Sequence, residues 1–260
     1  MASTAAGAID FEVPPLSEVI CGVRFSPLLE MNVAQLGAFC SSLRRQLPDV
    51  SSSRLSSPVP PEMLRRSIPP LPRTIATASD GAEAVQIQQN QFVYNWAKPR
   101  SGGEYPHFDK IFEAFQDYLN RFIQFIETTD LGPLKFEGYV LNYVNQINAE
   151  QGWSGPNDTE RFILGFNGLS HPRLTEFHWH PTYALDAELG TLEVIVGFRA
   201  RVADSARVLR FEIEVSYDRP KEGVPMELSD WFGQARHAID QAFLELTTPE
   251  AQAKVWKRRG

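Results

Sequence analysis

The chain has 260 residues, of which 43% are hydrophobic, and its formal net charge is -7. A chain of this length and composition can bury a substantial core, either as one large domain or as two small ones. The negative charge gives no general electrostatic reason to bind nucleic acid or an anionic membrane surface, so we expect neither partner.

The cysteine content and the hydropathy of the chain indicate its compartment. Only Cys21 and Cys40 occur, one on a predicted strand and one on a predicted helix, so no disulfide framework and no CxxC motif is available. The opening MASTAAGAIDFEVPP has neither a basic start nor an apolar run, and no segment approaches the roughly 20 apolar residues that span a bilayer. We therefore expect a cytoplasmic protein. We also expect no cofactor.

The N-terminal part, residues 1–50, predicts one strand and one helix. In SEVICGVRF, residues 17–25, apolar and polar residues alternate with the period of a half-buried strand. In NVAQLGAFCSSLRRQL, residues 32–47, apolar residues recur at helical spacing. Asn32 can cap this helix and Pro48 can stop it.

Residues 51–82 form a Pro/Ser-rich segment for which we predict a loop with no regular element over most of its length. Prolines remove backbone donors, and serines compete for the remaining backbone groups. A loop of this length is unusual inside a compact domain. It is either a disordered linker, which we favour, or a polyproline-type docking strand, because SPVPPEMLRRSIPPLPR mixes prolines with arginines.

The stretch AVQIQQNQFVYNWAK, residues 84–98, predicts a β-hairpin with a tight turn at Asn90 and Gln91. The next stretch, YPHFDKIFEAFQDYLNRFIQFIE, carries the longest amphipathic pattern of the chain and predicts a long helix. Pro106 suits the first turn of that helix.

The C-terminal half predicts five strands and a closing helix. The strand-like runs are LKFEGYVLNYVNQI, RFILGF, LTEFHWH, TLEVIVGFRARV and VLRFEIEVSY. The short linkers between them favour an antiparallel meander. Residues 228–246 place apolar side chains on one helical stripe and predict the closing helix.

This element order predicts an α+β fold, in which amphipathic helices pack on one face of an antiparallel β-sheet. The second half, with a long helix, five strands and a closing helix, has the element order of a helix-grip fold. That analogy carries no function by itself. We expect residues 83–260 to form one compact domain together with the N-terminal strand and helix.

Several segments carry a resemblance to known proteins. The most specific is Gln-x-Gln…Phe-x-x-Asn-Trp followed by Tyr-Pro, and PPLSEVICGVRFSPL, LNYVNQI and HAIDQAFLELTTPEAQAKVW add to it. In this order they resemble a sporadically distributed bacterial family of about this length and of unknown function. The resemblance implies a cytoplasmic bacterial protein and transfers no catalytic residue. Sporadic distribution is typical of mobile elements, so it also implies antiviral defence or toxin neutralisation with a protein partner encoded by a neighbouring gene.

A cluster of amide and aromatic residues is the first candidate site. Its members are Gln86, Gln88, Asn95, Trp96, Tyr105, Asn142, Tyr143 and Asn145. Amides donate and accept hydrogen bonds, and Tyr and Trp add rigid contact area, so such a cluster can recognise a polar ligand or a protein partner. Alternatively, the amides satisfy backbone groups while the aromatic rings fill the core.

The spacing within the hairpin limits which of these residues can act together. Asn95 and Trp96 are neighbours and must point to opposite faces of a regular strand. We expect Trp96 to pack inward with Phe92 and Tyr94, and Asn95 to face outward. A turn at Asn90 would also bring Gln88 near Asn95.

Glu176, His178 and His180 form the second candidate site. On a strand these three side chains would project to one face, and two imidazoles with a carboxylate suit zinc or non-haem iron. Alternatively, they lie on the charged face of the sheet beside the arginines and glutamates of neighbouring strands, which we favour. A His-x-His pair lacks the specificity of a helical H-E-x-x-H motif.

Together these patterns predict a non-enzymatic binding protein that recognises a protein partner or a small polar ligand. The alternative is a metal-dependent enzyme using Glu176, His178 and His180. No nucleophile elbow, Walker loop or glycine-rich dinucleotide motif supports catalysis of another kind. Cys40 lies on the apolar stripe of the first helix, which indicates a buried, inert thiol.

Overall fold

The computed structural model describes residues 9–54, 63, 70–99, 101–166, 177–200, 207–218 and 226–259. The chain separates into two compact units. Unit 1 consists of Met1–Ser17, Leu141–Tyr217 and Met226–Gly260, and unit 2 consists of Glu18–Val140 and Asp218–Pro225.

The predicted fold class, α+β with antiparallel strands and helices packed against them, is confirmed. The strands are β1 (Asp10–Phe11), β2 (Leu16–Phe25), β3 (Asp49–Ser53), β4 (Arg73–Thr77), β5 (Glu83–Gln88), β6 (Gln91–Ala97), β7 (Phe136–Ile147), β8 (His178–Trp179), β9 (Thr182–Ala184), β10 (Thr191–Ala200), β11 (Arg207–Asp218) and β12 (Arg258–Arg259). The α-helices are α1 (Val33–Ser42), α2 (Phe108–Thr128) and α3 (Leu228–Leu246).

Unit 2 contains an antiparallel sheet with the strand order β3-β4-β5-β6-β2. β5 and β6 form the predicted hairpin. Gln88 pairs with Gln91, so its two-residue turn is Gln89 and Asn90, one residue earlier than predicted. The Gln89 amide explains the difference, because it donates to two carbonyl oxygens of the loop after β2, each at 3.3 Å.

Helix α2 covers one face of the unit 2 sheet, and α1 packs against α2. Phe92 of β6 stacks on Phe122 of α2 with ring centroids 5.2 Å apart, and Phe39 of α1 meets the same ring at 5.1 Å. All three rings are buried. The apolar side of α2 is therefore buried against this face of the sheet. Truncation of one such ring to alanine lowers the free energy of unfolding by about 3–5 kcal/mol.

Two strands lie partly within the Pro/Ser-rich segment, so it is not a loop over its full length. β3 overlaps its start and β4 lies near its end, and the two pair antiparallel over five positions. The residues of β3 are largely exposed, as on the edge of a sheet, so no hydrophobic alternation marks the strand in the sequence. Residues 55–62 and 64–69 lie outside the described part of the chain, and the linker and docking alternatives fall on them.

Unit 1 contains β7 from Leu141 onward and then β11, β10 and β8 in that order, and β9 also pairs with β10. Helix α3 packs on this sheet, where Phe243 stacks on Phe211 at 5.7 Å. Trp256, which is fully buried, lies 5.2 Å from the Phe243 ring. None of the helices in the described ranges has the length and apolar content needed to cross a membrane.

The predicted strand RFILGF is wrong. Residues Pro156–Arg161 form a 3-10 helix, and the backbone N–H groups of Phe162 and Ile163 both donate to the Thr159 carbonyl. Phe162 and Ile163 are both buried although they are adjacent in sequence, which alternating strand geometry does not allow on a half-buried sheet. Only an isolated bridge between Ile163 and Thr247 remains.

Candidate ligand-binding site

A cleft with a volume of about 300 Å³ opens in unit 2 beside the first turn of α2. We call it the Glu83 cleft. Its polar and aromatic lining residues are Asp80, Glu83, Tyr94, Trp96 and Lys110. The strands supply the inner wall and the start of the helix supplies the outer one.

Strand register places the inner wall. Glu83 of β5 lies directly opposite Trp96 of β6, and Val85 lies opposite Tyr94. Opposed residues of an antiparallel pair share a face, and residues two apart share it too. Glu83, Tyr94 and Trp96 therefore all point to the face that α2 covers, as predicted for the two aromatic residues.

Two tyrosines hold the Glu83 carboxylate in place. Tyr94 donates its hydroxyl to Oε1 at 3.0 Å, and Tyr118 donates to Oε2 at 3.4 Å. The two tyrosine rings stack on each other at 5.7 Å with an interplanar angle of 24°. The carboxylate is thus oriented by two donors on a rigid aromatic support.

The same arrangement keeps both hydroxyls protonated. Burial, and then the nearby Glu83 carboxylate, raise the pKa of Tyr118 to about 12. The pKa of Tyr94 is raised for the same reasons, in the same order. At neutral pH both phenols are therefore protonated and act as hydrogen-bond donors.

Tyr105 extends the aromatic wall. Its ring lies 5.5 Å from the Trp96 ring, so the structure brings these two predicted residues together. The next ring, that of His107, lies 5.5 Å from Tyr105. His107 is the N-cap of α2 with φ 67° and ψ 151°, a conformation that is essentially restricted to glycine. A strained residue thus lies where the helix begins beside the cleft.

Gln86, Gln88 and Asn95 lie on the opposite face of the unit 2 sheet. Gln86 accepts from Arg73 at 3.2 Å, and Gln88 donates to Gln91 at 2.7 Å. Both amides are therefore engaged with side chains of neighbouring strands.

Asn95 pairs with Ala84, and Gln88 pairs with Gln91. The expected proximity of Gln88 and Asn95 is therefore wrong, because the true turn separates them by several positions along the hairpin. The Oδ1 atom of Asn95 is buried and has no hydrogen-bond partner within the described ranges.

Asn142, Tyr143 and Asn145 belong to unit 1 and are all buried. Asn142 donates to the Glu214 carboxylate at 3.0 Å, and Asn145 donates to the Phe211 carbonyl at 3.2 Å. These bonds tie β7 to β11. The cleft in unit 2 does not include them, so the predicted cluster divides into separate groups.

The histidine pair lies in unit 1 and is exposed. The rings of His178 and His180 are 6.0 Å apart, and His180 Nε2 lies 3.0 Å from Glu193 Oε2. Glu176 lies outside the described residues, so the predicted metal set of Glu176, His178 and His180 stays a prediction. Elsewhere in the described ranges, no group of three or more His, Cys, Asp or Glu residues could hold a metal ion.

Sequence reasoning missed Glu83, Tyr94, Tyr118 and Lys110 as members of the site. Glu83 could have been found from its strand position, because it points to the same face as the buried residues Val85 and Ile87. A carboxylate on the core face of a strand needs partners, and it therefore marks a candidate polar site. Tyr118 could not be found in this way because its partner is far away in the sequence.

A scan against protein-family models finds no match, and a search of curated proteins finds no similar sequence. The resemblance to the sporadically distributed bacterial family therefore stays a prediction. The function has to be inferred from the geometry of the site.

Proposed function

We propose that the protein is a non-enzymatic binding protein that holds a small polar ligand in the Glu83 cleft. One observation carries this proposal: a carboxylate is oriented by two tyrosine hydroxyls inside an aromatic-lined cleft. Small-molecule sites are mostly apolar concave surfaces with a few precisely placed polar groups, and this cleft has that composition.

The volume of the cleft limits the size of the ligand. At about 300 Å³ it is at the lower end of the range for small-molecule pockets, so the ligand is compact. The buried aromatic residues Tyr94 and Trp96 favour an apolar body, and Glu83 favours a polar end.

The raised pKa values of two tyrosines and two cysteines support binding over catalysis. Tyr94 and Tyr118 keep their protons at neutral pH because their pKa values are raised. Burial also raises the pKa of the Cys21 and Cys40 thiols, which makes both poor nucleophiles.

We also propose that the protein works with a protein partner encoded by a neighbouring gene, in a mobile bacterial defence or toxin-neutralising system. The resemblance of its motifs to the sporadically distributed family supports this role. When it is expressed from its native locus, the protein should co-purify with the product of a neighbouring gene. Recovery of the protein alone would contradict the proposal.

A cleft-filling variant tests the binding function. Ala82 lines the cleft, so Ala82→Leu places extra methyl groups in the ligand volume. Ala38→Leu, at an exposed position of α1, is the matched control. Native mass spectrometry after incubation with a small-metabolite extract should show a bound molecule in the wild type and in Ala38→Leu, but not in Ala82→Leu. Equal retention by Ala82→Leu, or no retention by the wild type, would contradict the proposal.

A further inference from the structure

We infer that the ligand of the Glu83 cleft is a small organic amine whose ammonium group binds the Glu83 carboxylate. This inference rests on the proposed function and adds the chemical class of the ligand. It follows from the charge of the inner wall, the chemistry of the surrounding rings and the position of the other charges.

The Glu83 carboxylate is held by neutral hydrogen-bond donors. Its two oxygens accept hydrogen bonds from Tyr94 and Tyr118, and both donors are neutral. No Lys, Arg or His residue of the described chain pairs with this carboxylate. A half-buried carboxylate without a cationic partner disfavours an anionic ligand and attracts a cationic one.

The aromatic wall of the cleft adjoins the Glu83 carboxylate. Trp96 lies opposite Glu83 on the same face of the sheet, and Tyr94 is two residues away on that face. The faces of Trp and Tyr rings attract cations, Trp most strongly. Rings and carboxylate together match an ammonium group on an apolar stem, since the rings attract the charge and cover the stem.

Two further charged residues lie at the mouth of the cleft. Asp80 and Lys110 are both exposed, and they have opposite signs. The Asp80 carboxylate also accepts from the backbone N–H of Ala82 at 2.9 Å. The positive end of α2 and Lys110 favour anions, but solvent and salt screen exposed charges more strongly than the half-buried Glu83. Glu83 therefore decides the sign of the ligand.

Wild-type protein and three matched probes test the charge requirement without any variant. Pentylamine, pentanol and pentanoate share an apolar chain and differ in the charge of the end group. Calorimetric titration should give a dissociation constant for pentylamine at least about tenfold lower than for pentanol, the difference expected for one hydrogen bond to a charged group. We expect no measurable binding of pentanoate.

A pair of variants assigns the effect to Glu83. Glu83→Gln keeps the shape and removes the charge, and Glu113→Gln removes one charge from an exposed position of α2. Glu83→Gln should weaken pentylamine binding by about tenfold or more, and Glu113→Gln should leave it unchanged. Equal losses in both variants would show only a general charge effect and would overturn the assignment.

The amine could come from a free small molecule or from a lysine side chain of a protein partner, and we commit to the free molecule. Nα-acetyl-lysine methylamide carries the same ammonium on a peptide-like body. It should bind more weakly than pentylamine because the compact cleft has little space for the peptide groups. Equal or tighter binding would overturn the free-amine assignment in favour of a partner's lysine.

The two proposals fail in different ways. If pentylamine binds no tighter than pentanol while Ala82→Leu still blocks a bound metabolite, the amine assignment is overturned and the binding function stands. If neither the probes nor any metabolite binds the wild type, both are overturned.

Discussion

Glu83 lies directly opposite Trp96 in the antiparallel pair of β5 and β6, at the end of the hairpin away from its turn. The two side chains therefore project to the same face, beside the first turn of α2. This relationship places a carboxylate next to the aromatic ring that is best suited to attract a cation. The proposed ligand chemistry depends on it.

His107 stores backbone strain next to the cleft. Because its φ of 67° and ψ of 151° suit glycine alone, His107→Gly should raise the free energy of unfolding by about 1 kcal/mol. His107→Ala keeps a Cβ atom and should give no such gain. Chemical denaturation of both variants checks this, and equal stabilities of the two variants would contradict the strain.

Asn95 and Asn145 differ in the hydrogen bonding of their side-chain amides. Asn95 has a buried Oδ1 without a partner, so Asn95→Ala should change stability by less than about 1 kcal/mol. Asn145 donates to the Phe211 carbonyl from a buried position, so Asn145→Ala should cost about 1–3 kcal/mol. Thermal unfolding of the two variants provides the comparison.

The same Asn95→Ala variant tests whether Asn95 contacts the ligand. Asn95 points away from the face that contains the cleft, so pentylamine binding should be unchanged. Loss of binding in a stable Asn95→Ala protein would show that the recognition surface lies on the other face.

Asp240 makes stability depend on pH. Burial raises the pKa of its carboxyl from 3.8 to about 6, although Arg236 opposes this shift. The folded protein therefore holds this proton more tightly than the unfolded chain, and the contribution to stability is lost as pH rises from about 4 to 6.

Asp240→Asn removes that titration and keeps an oxygen that can accept from the backbone of Ile9. The variant should be more stable than the wild type at pH 7, by about 1–3 kcal/mol, and the difference should shrink toward pH 4. Denaturation at a series of pH values checks the sign. A variant that is less stable at pH 7 would show that the pairing with Arg236 outweighs burial.

The sequence predicts those helices and strands whose hydrophobic periodicity is strong. The long helix and the hairpin carry strong apolar periodicity and were predicted. β3 carries none because both of its faces are largely exposed. RFILGF failed because the adjacent residues Phe162 and Ile163 are both buried directly after a 3-10 helix. Periodicity reports burial on one face only.

The site was harder to predict because register decides it. Trp96 and Tyr105 were found from residue type alone, whereas Glu83 joins them only through the pairing of β5 with β6. A turn placed one residue too late shifts every pair of the hairpin. The hydrogen bond from Tyr118 to Glu83 depends on how α2 packs, which the sequence pattern does not define.

Metal analysis separates the binding protein from the metal-dependent alternative. His180 is paired with Glu193, and we expect His178 and His180 to lie on the charged face of the sheet without a metal. Purified protein should therefore contain no stoichiometric zinc or iron. A stoichiometric metal that His178→Ala removes would contradict the binding account and support the enzyme.

A crystal structure of the protein with pentylamine would show whether Glu83 binds the ammonium group. We expect density for the amine in the Glu83 cleft, with its nitrogen within about 3 Å of a Glu83 carboxylate oxygen and its chain against Trp96. Pentylamine bound only elsewhere, or bound in the cleft with its nitrogen directed away from Glu83, would contradict it.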